Sequence, residues 1–270
     1  MIRKRSCSYG ALVVLAVCLL QSPSALQATS WTGLGFDGLW ANPTNWSDGV
    51  PTETSEWVGL APAYTSEATI VTGEVEYVGT LVNGVISQEL GFTLDVHGEL
   101  HYGFFFTSVQ SDPTYPNLIN MYGNSSLSGE GLGLGDNWWW HGGPYVDMNM
   151  NDSAYAAINW LWWGGHLNLY GGTMDIAGGV TAETADAVSD ATRLIDIYDG
   201  KLILPCEFTN VVILDWIERD IIRGFGGAGR IVIDTEMNPG RTTVYAVVPE
   251  PTPLALLVLG GLTAVFRRRR

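Results

Sequence analysis

Cysteine is almost missing from this chain. Three occur in 270 residues, Cys7, Cys18 and Cys206, and the first two fall in an apolar N-terminal stretch. Removal of that stretch on export leaves one thiol, which excludes an intramolecular disulfide framework. A domain of this size does not need one. Cys206 follows Pro205 in an apolar run with no histidine nearby in sequence to activate it, so a buried, inert thiol is expected. Basic residues are scarce too. Of 13 Lys and Arg, Arg3, Lys4 and Arg5 open the chain and Arg267 to Arg270 close it, leaving six for residues 31–248. That span holds 27 of the 28 acids and carries 27 − 6 = 21 net negative charges. Such a surface repels nucleic acid and anionic headgroups at long range, which excludes nucleic acid as a partner.

Charged residues of both signs reach only 15%, while the apolar fraction of 46% is too high for disorder. What the chain has instead is glycine (33), tryptophan (11) and tyrosine (11). Few charges with many glycines and aromatics favour turn-rich β structure over helical bundles. The length suits one large domain or two small ones, either able to bury a core.

The two ends read as addresses. Residues 1–28 form a signal peptide: the basic Arg3-Lys4-Arg5, an apolar core from Ala11 to Leu20, and small residues around Ala25 and Ala28 for cleavage. This predicts passage through the Sec export machinery. At the other end, Leu254 to Phe266 carry no charge and run into four arginines. As a helix they span about 20 Å at ~1.5 Å per residue, short of the ~30 Å hydrocarbon core. The positive-inside rule places those arginines in the cytoplasm and residues 31–248 outside the inner membrane.

Pro249-Glu250-Pro251, a short apolar helix and a terminal arginine cluster together resemble the PEP-CTERM sorting signal of Gram-negative bacteria. The resemblance covers residues 249–270 and says nothing about the span before them. It implies that an exosortase, a membrane-embedded cysteine transpeptidase, recognises Pro249, Glu250 and Pro251 and removes the tail. Arg267, Arg268, Arg269 and Arg270 would then be the retention signal and Leu254–Phe266 a transmembrane anchor of the precursor. It also implies association with extracellular polysaccharide at the cell surface or in the extracellular matrix.

Residues 31–248 repeat a short pattern: an apolar residue, Asp or Asn, another apolar residue, then a polar or aromatic residue near glycine. Copies begin at Leu94, Ile119, Val146, Leu167 and Ile195, with a degraded copy from Gly229. Alternation within each copy turns the apolar side chains one way and Asp95, Asn120, Asp147, Asn168 and Asp196 the other. The following glycine suits a tight bend, giving a strand–bend–strand unit. A unit this short cannot bury its own apolar face and must stack on its neighbours. The expected fold is therefore all-β, a single-stranded parallel β-helix or β-solenoid. A β-sandwich also gives short strands between turn signals and stands as the alternative. The segment from Trp31 to Leu60 resembles the opening of bacterial proteins with autotransporter-type β-strand repeats. Physically, Trp31, Trp40, Trp46 and Trp57 suit a cover for the open end of a stack.

Two aromatic clusters are candidate carbohydrate contacts, Trp138-Trp139-Trp140 and Trp160, Trp162 and Trp163, because indole faces stack on the apolar C–H faces of sugars. Structural packing competes for the same residues, since consecutive tryptophans on a strand point to alternate faces. No catalytic residues are assigned. The recurrent Asp and Asn are spread one per repeat and alternate freely, unlike an acid/base pair converging across a cleft, so no enzyme is expected. No cofactor is required. Ca²⁺ enters only through Asp147, Asn149, Asn151 and Asp152, which lack EF-hand or nonapeptide-repeat spacing. His97 and His101 share a strand-like face, but no third ligand has zinc-motif spacing, and no metal site is assigned. These readings predict a structural or adhesive surface protein, with a carbohydrate-binding module as the alternative and a polysaccharide-degrading β-helix enzyme behind it.

Overall fold

Period-two alternation over four to nine residues makes strands that each bury one face. The computed structural model describes residues 27–53, 55–60, 69–82, 92–106, 117–134, 146–181, 193–205 and 210–248. The expected signal segment before residue 27, the expected sorting tail from 249 to 270, Cys206 and Trp138, Trp139 and Trp140 lie outside these residues. In chain order the strands are β1 (Gln27–Ser30), β2 (Ser55–Gly59), β3 (Thr69–Val71), β4 (Glu74–Val82), β5 (Thr93–Val96) and β6 (Glu99–Phe106). There follow β7 (Asn117–Met121), β8 (Ser126–Leu134), β9 (Val146–Met150), β10 (Tyr155–Trp163), β11 (His166–Leu169) and β12 (Thr173–Thr181). The last are β13 (Leu194–Ile197), β14 (Lys201–Pro205), β15 (Ile222–Gly224), β16 (Arg230–Asp234) and β17 (Arg241–Val247), with one α-helix among the described residues, α1 (Asn210–Glu218).

These strands deal alternately into two sheets. One has ten strands in the order β1-β2-β4-β6-β8-β10-β12-β14-β17-β16, the other seven in the order β15-β13-β11-β9-β7-β5-β3. Successive turns pair in parallel, for instance β6 with β8, β8 with β10, β5 with β7 and β7 with β9. A chain that visits each sheet once per turn, always in the same direction, is a parallel β-solenoid. A sandwich, built from antiparallel pairs, is excluded.

Register stacks like on like. Leu94, Ile119, Met148, Leu167, Ile195 and Ile222 form one inward column, and all six are buried. From the opposite sheet Leu100, Leu127, Ala156, Met174 and Leu202 close the interior. Each aliphatic side chain so buried contributes about 1.5–3 kcal/mol, which no single turn could collect alone. The bends need glycine for space. A Cβ on Gly98 would lie 2.2 Å from the Gly73 carbonyl oxygen one turn below, and one on Gly171 would lie 2.3 Å from that of Asp152.

Two register details differ from the sequence reading. Met148, not Val146, aligns with Ile119, because Val146 pairs with Asn117. The residue in line with Asn120 is therefore Asn149, and Asp147 falls outside the column. The segment from Gly229 is not a further turn. Its strand β16 runs antiparallel to β17, which is itself antiparallel to β14, so a hairpin ends the parallel stack.

The N-terminal end is covered. Trp31, Trp40 and Trp46 are buried, with Trp46 edge-on to Trp31 at 5.0 Å and to Trp40 at 4.7 Å. The Trp46 indole donates to the Trp40 carbonyl at 2.7 Å. Leu39 bridges in parallel to Ile70, extending the seven-stranded sheet past its last full strand. Asp37 ties this cover together, accepting from Leu39 N and from the side chains of Asn42 and Asn45. Those donors hold its carboxyl below the usual range, the Leu39 amide foremost. Just before β15, α1 buries Ile213 and Trp216, and Trp216 packs 5.6 Å from Trp163 on β10. The Trp cover and the Leu39 bridge shield the β3 edge, which unpaired would invite aggregation. The expected cleavage after Ala25 would leave β1 whole, whereas cleavage after Ala28 would divide it.

Candidate functional site

The outward residues of the seven-stranded sheet form a hydrogen-bonded ladder. Asn120 Nδ2 donates to Asp95 Oδ1 at 2.8 Å, Asn149 Nδ2 to Asn120 Oδ1 at 2.8 Å, and Asn168 Nδ2 to Asn149 Oδ1 at 2.9 Å. All donors point toward the N-terminal end, so the amide dipoles align and reinforce one another. Asp196 continues the column, but a carboxylate cannot donate. It is instead held by Arg223 Nε at 3.0 Å and Gly226 N at 3.0 Å. Beside the ladder, at the bend, His97 stacks on Tyr122 at 4.7 Å, and Tyr198 lies 5.0 Å from Tyr170 and 5.7 Å from Phe225. Partial burial and then the Asp95 charge push the Tyr122 phenol up; burial and Asp196 do the same for Tyr198.

The ten-stranded sheet carries the aromatic surface. Phe104, Gly131 and Trp160 occupy one register row across β6, β8 and β10. Trp162 leans over Gly131, where an added Cβ would lie 2.2 Å from its ring, and sits 6.1 Å from Phe104. Trp160 leans the other way over Gly179, whose Cβ would come within 2.7 Å of the indole. Glycines in β8 and β12 thus form a floor on which rings from β10 lie. Trp160 is 42% exposed, Phe104 is exposed and Trp162 half-buried. Beside them Asn159 Nδ2 donates to Glu130 Oε1 at 3.2 Å, both on the outer face.

Of the six tryptophans expected to meet carbohydrate, Trp160 and Trp162 lie on this outer face. Trp163 does not: it is 2% exposed, donates its indole N–H to Gly165 O at 2.8 Å and packs on Trp216. A register shift between Ile158 and Trp160 accounts for this. It turns Asn159 and Trp160 outward together, which sends Leu161 and Trp163 into the core. Phe104 was not anticipated. Its membership depends on Gly131, 27 residues away in sequence, and no local pattern announces it.

The remaining polar candidates separate. Asp147 meets His166 Nδ1 at 3.0 Å, Asn149 belongs to the ladder, Asn151 donates to Met121 O, and Asp152 accepts from Gly123 N. His97 and His101 do not share a face, because a bend divides them and His101 sits on β6 in the other sheet. There Glu74, Glu99 and His101 bring their ligand atoms within 4.8 Å of one another. Further along the same outer face Tyr155 donates to Asp175 at 3.0 Å, and Arg241 pairs with that carboxylate. Burial first, then Asp175, raises the Tyr155 phenol, and Arg241 opposes the shift.

These features define a capped parallel β-solenoid with a polar ladder on one sheet and an aromatic strip on the other. No protein-family model matches the chain, and neither a curated sequence nor a solved structure does. Among the described residues no helix is long and apolar enough to cross a membrane.

Proposed function

We propose that this chain is an exported structural or adhesive protein of the cell surface or extracellular matrix of a Gram-negative bacterium. Its N-terminal signal directs it through Sec, and its Pro249-Glu250-Pro251 tail is cut by an exosortase after transient residence in the inner membrane. The observation that carries the structural role is the ladder from Asp95 to Asn168, where outward polar side chains bond to one another from turn to turn. Side chains engaged in this way stiffen a rod. Cell fractionation with surface proteolysis tests the reading: the wild-type chain is expected at the surface or in the matrix, and a chain lacking residues 249–270 is expected to miss it. Equal surface display of both forms contradicts the sorting role.

A second reading, contact with extracellular polysaccharide, rests on Trp160 and Trp162 lying on their glycine floor beside the Glu130–Asn159 pair. Exposed indoles over a flat sheet offer sugars an apolar face with hydrogen-bonding groups alongside. Glycan-array binding that disappears on Trp160→Ala supports it; unchanged binding removes it.

A further inference from the structure

We propose that Glu74, Glu99 and His101 form a binding site for a zinc-like divalent ion on the outer face of the ten-stranded sheet. Glu74 and Glu99 are register partners on the adjacent parallel strands β4 and β6, so two carboxylates face each other directly. Like charges so placed destabilise a strand pair unless something bridges them. His101 follows Glu99 by two residues and turns to the same face. Its Nε2 lies 3.7 Å from Glu99 Oε2, and the three ligand atoms lie within 4.8 Å of one another. Zinc–ligand bonds of about 2.0–2.2 Å need donors roughly 3–3.5 Å apart, which small rotations of the exposed glutamates supply.

Two further observations point to a cation. The first is outside the cluster: His101 Nδ1 shares a hydrogen bond with Ser128 Oγ on β8. That bond fixes the ring and leaves Nε2 facing the carboxylates, the way metal-bound imidazoles are oriented. The second is the charge map. Between residues 31 and 192 the sequence has 19 Asp and Glu and no Lys or Arg. Later in the stack, Asp196 meets Arg223 and Asp175 meets Arg241. Asp175 lies in that same stretch and receives Arg241 through the fold, whereas among the described residues no Lys or Arg pairs with Glu74 or Glu99, which leaves that pair open to a bridging cation from solution. One imidazole among carboxylates favours zinc and its transition-metal neighbours over Ca²⁺ or Mg²⁺, which take all-oxygen sets. Three protein ligands leave the fourth position to water. Bound there, the ion clamps β4 to β6 near the N-terminal end of the stack.

The test is equilibrium dialysis of the purified full-length protein against Zn²⁺, with Ca²⁺ and Mg²⁺ in excess. One retained Zn²⁺ per chain is expected, lost in Glu99→Gln and in His101→Asn. Ser128→Ala keeps all three ligands and is expected to weaken binding about tenfold. His166→Ala, which alters the histidine–carboxylate pair on the other sheet, is expected to leave binding unchanged. X-ray absorption of the wild-type zinc complex needs no variant to fold and is expected to show one imidazole among oxygen ligands. Zinc retained in both ligand variants, displacement by equal Ca²⁺, dependence on His166, or a spectrum with no imidazole or two would each overturn the proposal.

Discussion

The direction of the amide ladder makes Asp95 and Asn120 unequal, although they are neighbours in one hydrogen bond. Asn120 supplies the proton and Asp95 only accepts it. Asp95→Asn keeps an acceptor oxygen in place and loses only the charge assistance, a cost expected to stay within about 1 kcal/mol. Asn120→Asp removes the donor and sets two carboxylates opposite each other on adjacent strands. Losing a hydrogen bond to a charged group costs about 1.5–3 kcal/mol. The added repulsion, discounted because both positions are half-exposed, costs on the order of 1 kcal/mol. The sum, about 2.5–4 kcal/mol, lowers the unfolding midpoint by roughly 5–16 °C in a domain of this size. Thermal unfolding followed by far-ultraviolet circular dichroism measures both variants. Added salt should recover part of the Asn120→Asp deficit, since only the repulsive share is screened. Equal losses in the two variants, or an Asn120→Asp protein as stable as wild type, would refute a directional ladder.

Trp163→Ala should cost about 3–5 kcal/mol, whereas Trp160→Ala should fall within about 1 kcal/mol, as denaturant titrations can determine. The contrast follows from 2% against 42% exposure. Gly172→Ala should destabilise by about 2 kcal/mol or more in the same titration. Residue 172 has φ +66°, and a Cβ there would lie 2.2 Å from Ala154 O. Burial pushes the Tyr102 phenol far up, and Tyr122, Tyr155 and Tyr198 are raised as well. The folded chain therefore keeps phenolic protons that the unfolded chain releases near pH 10. Their contribution to stability is whole below about pH 10 and is lost as pH rises through the folded values. Ultraviolet titration should find one tyrosine, Tyr102, that ionises only with unfolding; its ordinary titration in the folded protein would contradict its burial.

The solenoid was legible because each repeat pairs a period-two strand with a glycine bend and cannot bury its face alone. The register was less so. Val146-Asp147-Met148 and Met148-Asn149-Met150 both satisfy the same apolar–polar–apolar pattern. A two-residue slip keeps every side chain on its own face, so hydrophobicity does not penalise it. Polar contacts between the turns pick the true alignment: Asn149 to Asn120, Asn151 to Met121 O and Gly123 N to Asp152. The Gly229 segment failed differently: β16 runs the same way as the stack, but β17 inserts antiparallel between it and β14, and a strand's own pattern does not name its neighbour. In the aromatic run from Trp160 to Trp163 strict alternation breaks at the register shift after Ile158, which hid the burial of Trp163. Phe104 and the Glu74, Glu99 and His101 group are assembled between turns, from residues about 25 positions apart, and turn-to-turn neighbours become visible only once the register is known.

Mass spectrometry of the C-terminal peptide, taken from protein recovered at the cell surface or in the matrix, tests the proposed export and sorting most directly. The account predicts a chain that ends at or near Pro249-Glu250-Pro251 in cells with an active exosortase and retains the arginine cluster in cells without one. Full-length chain in the cytosol, with Arg270 still attached whether or not the transpeptidase is present, would contradict it.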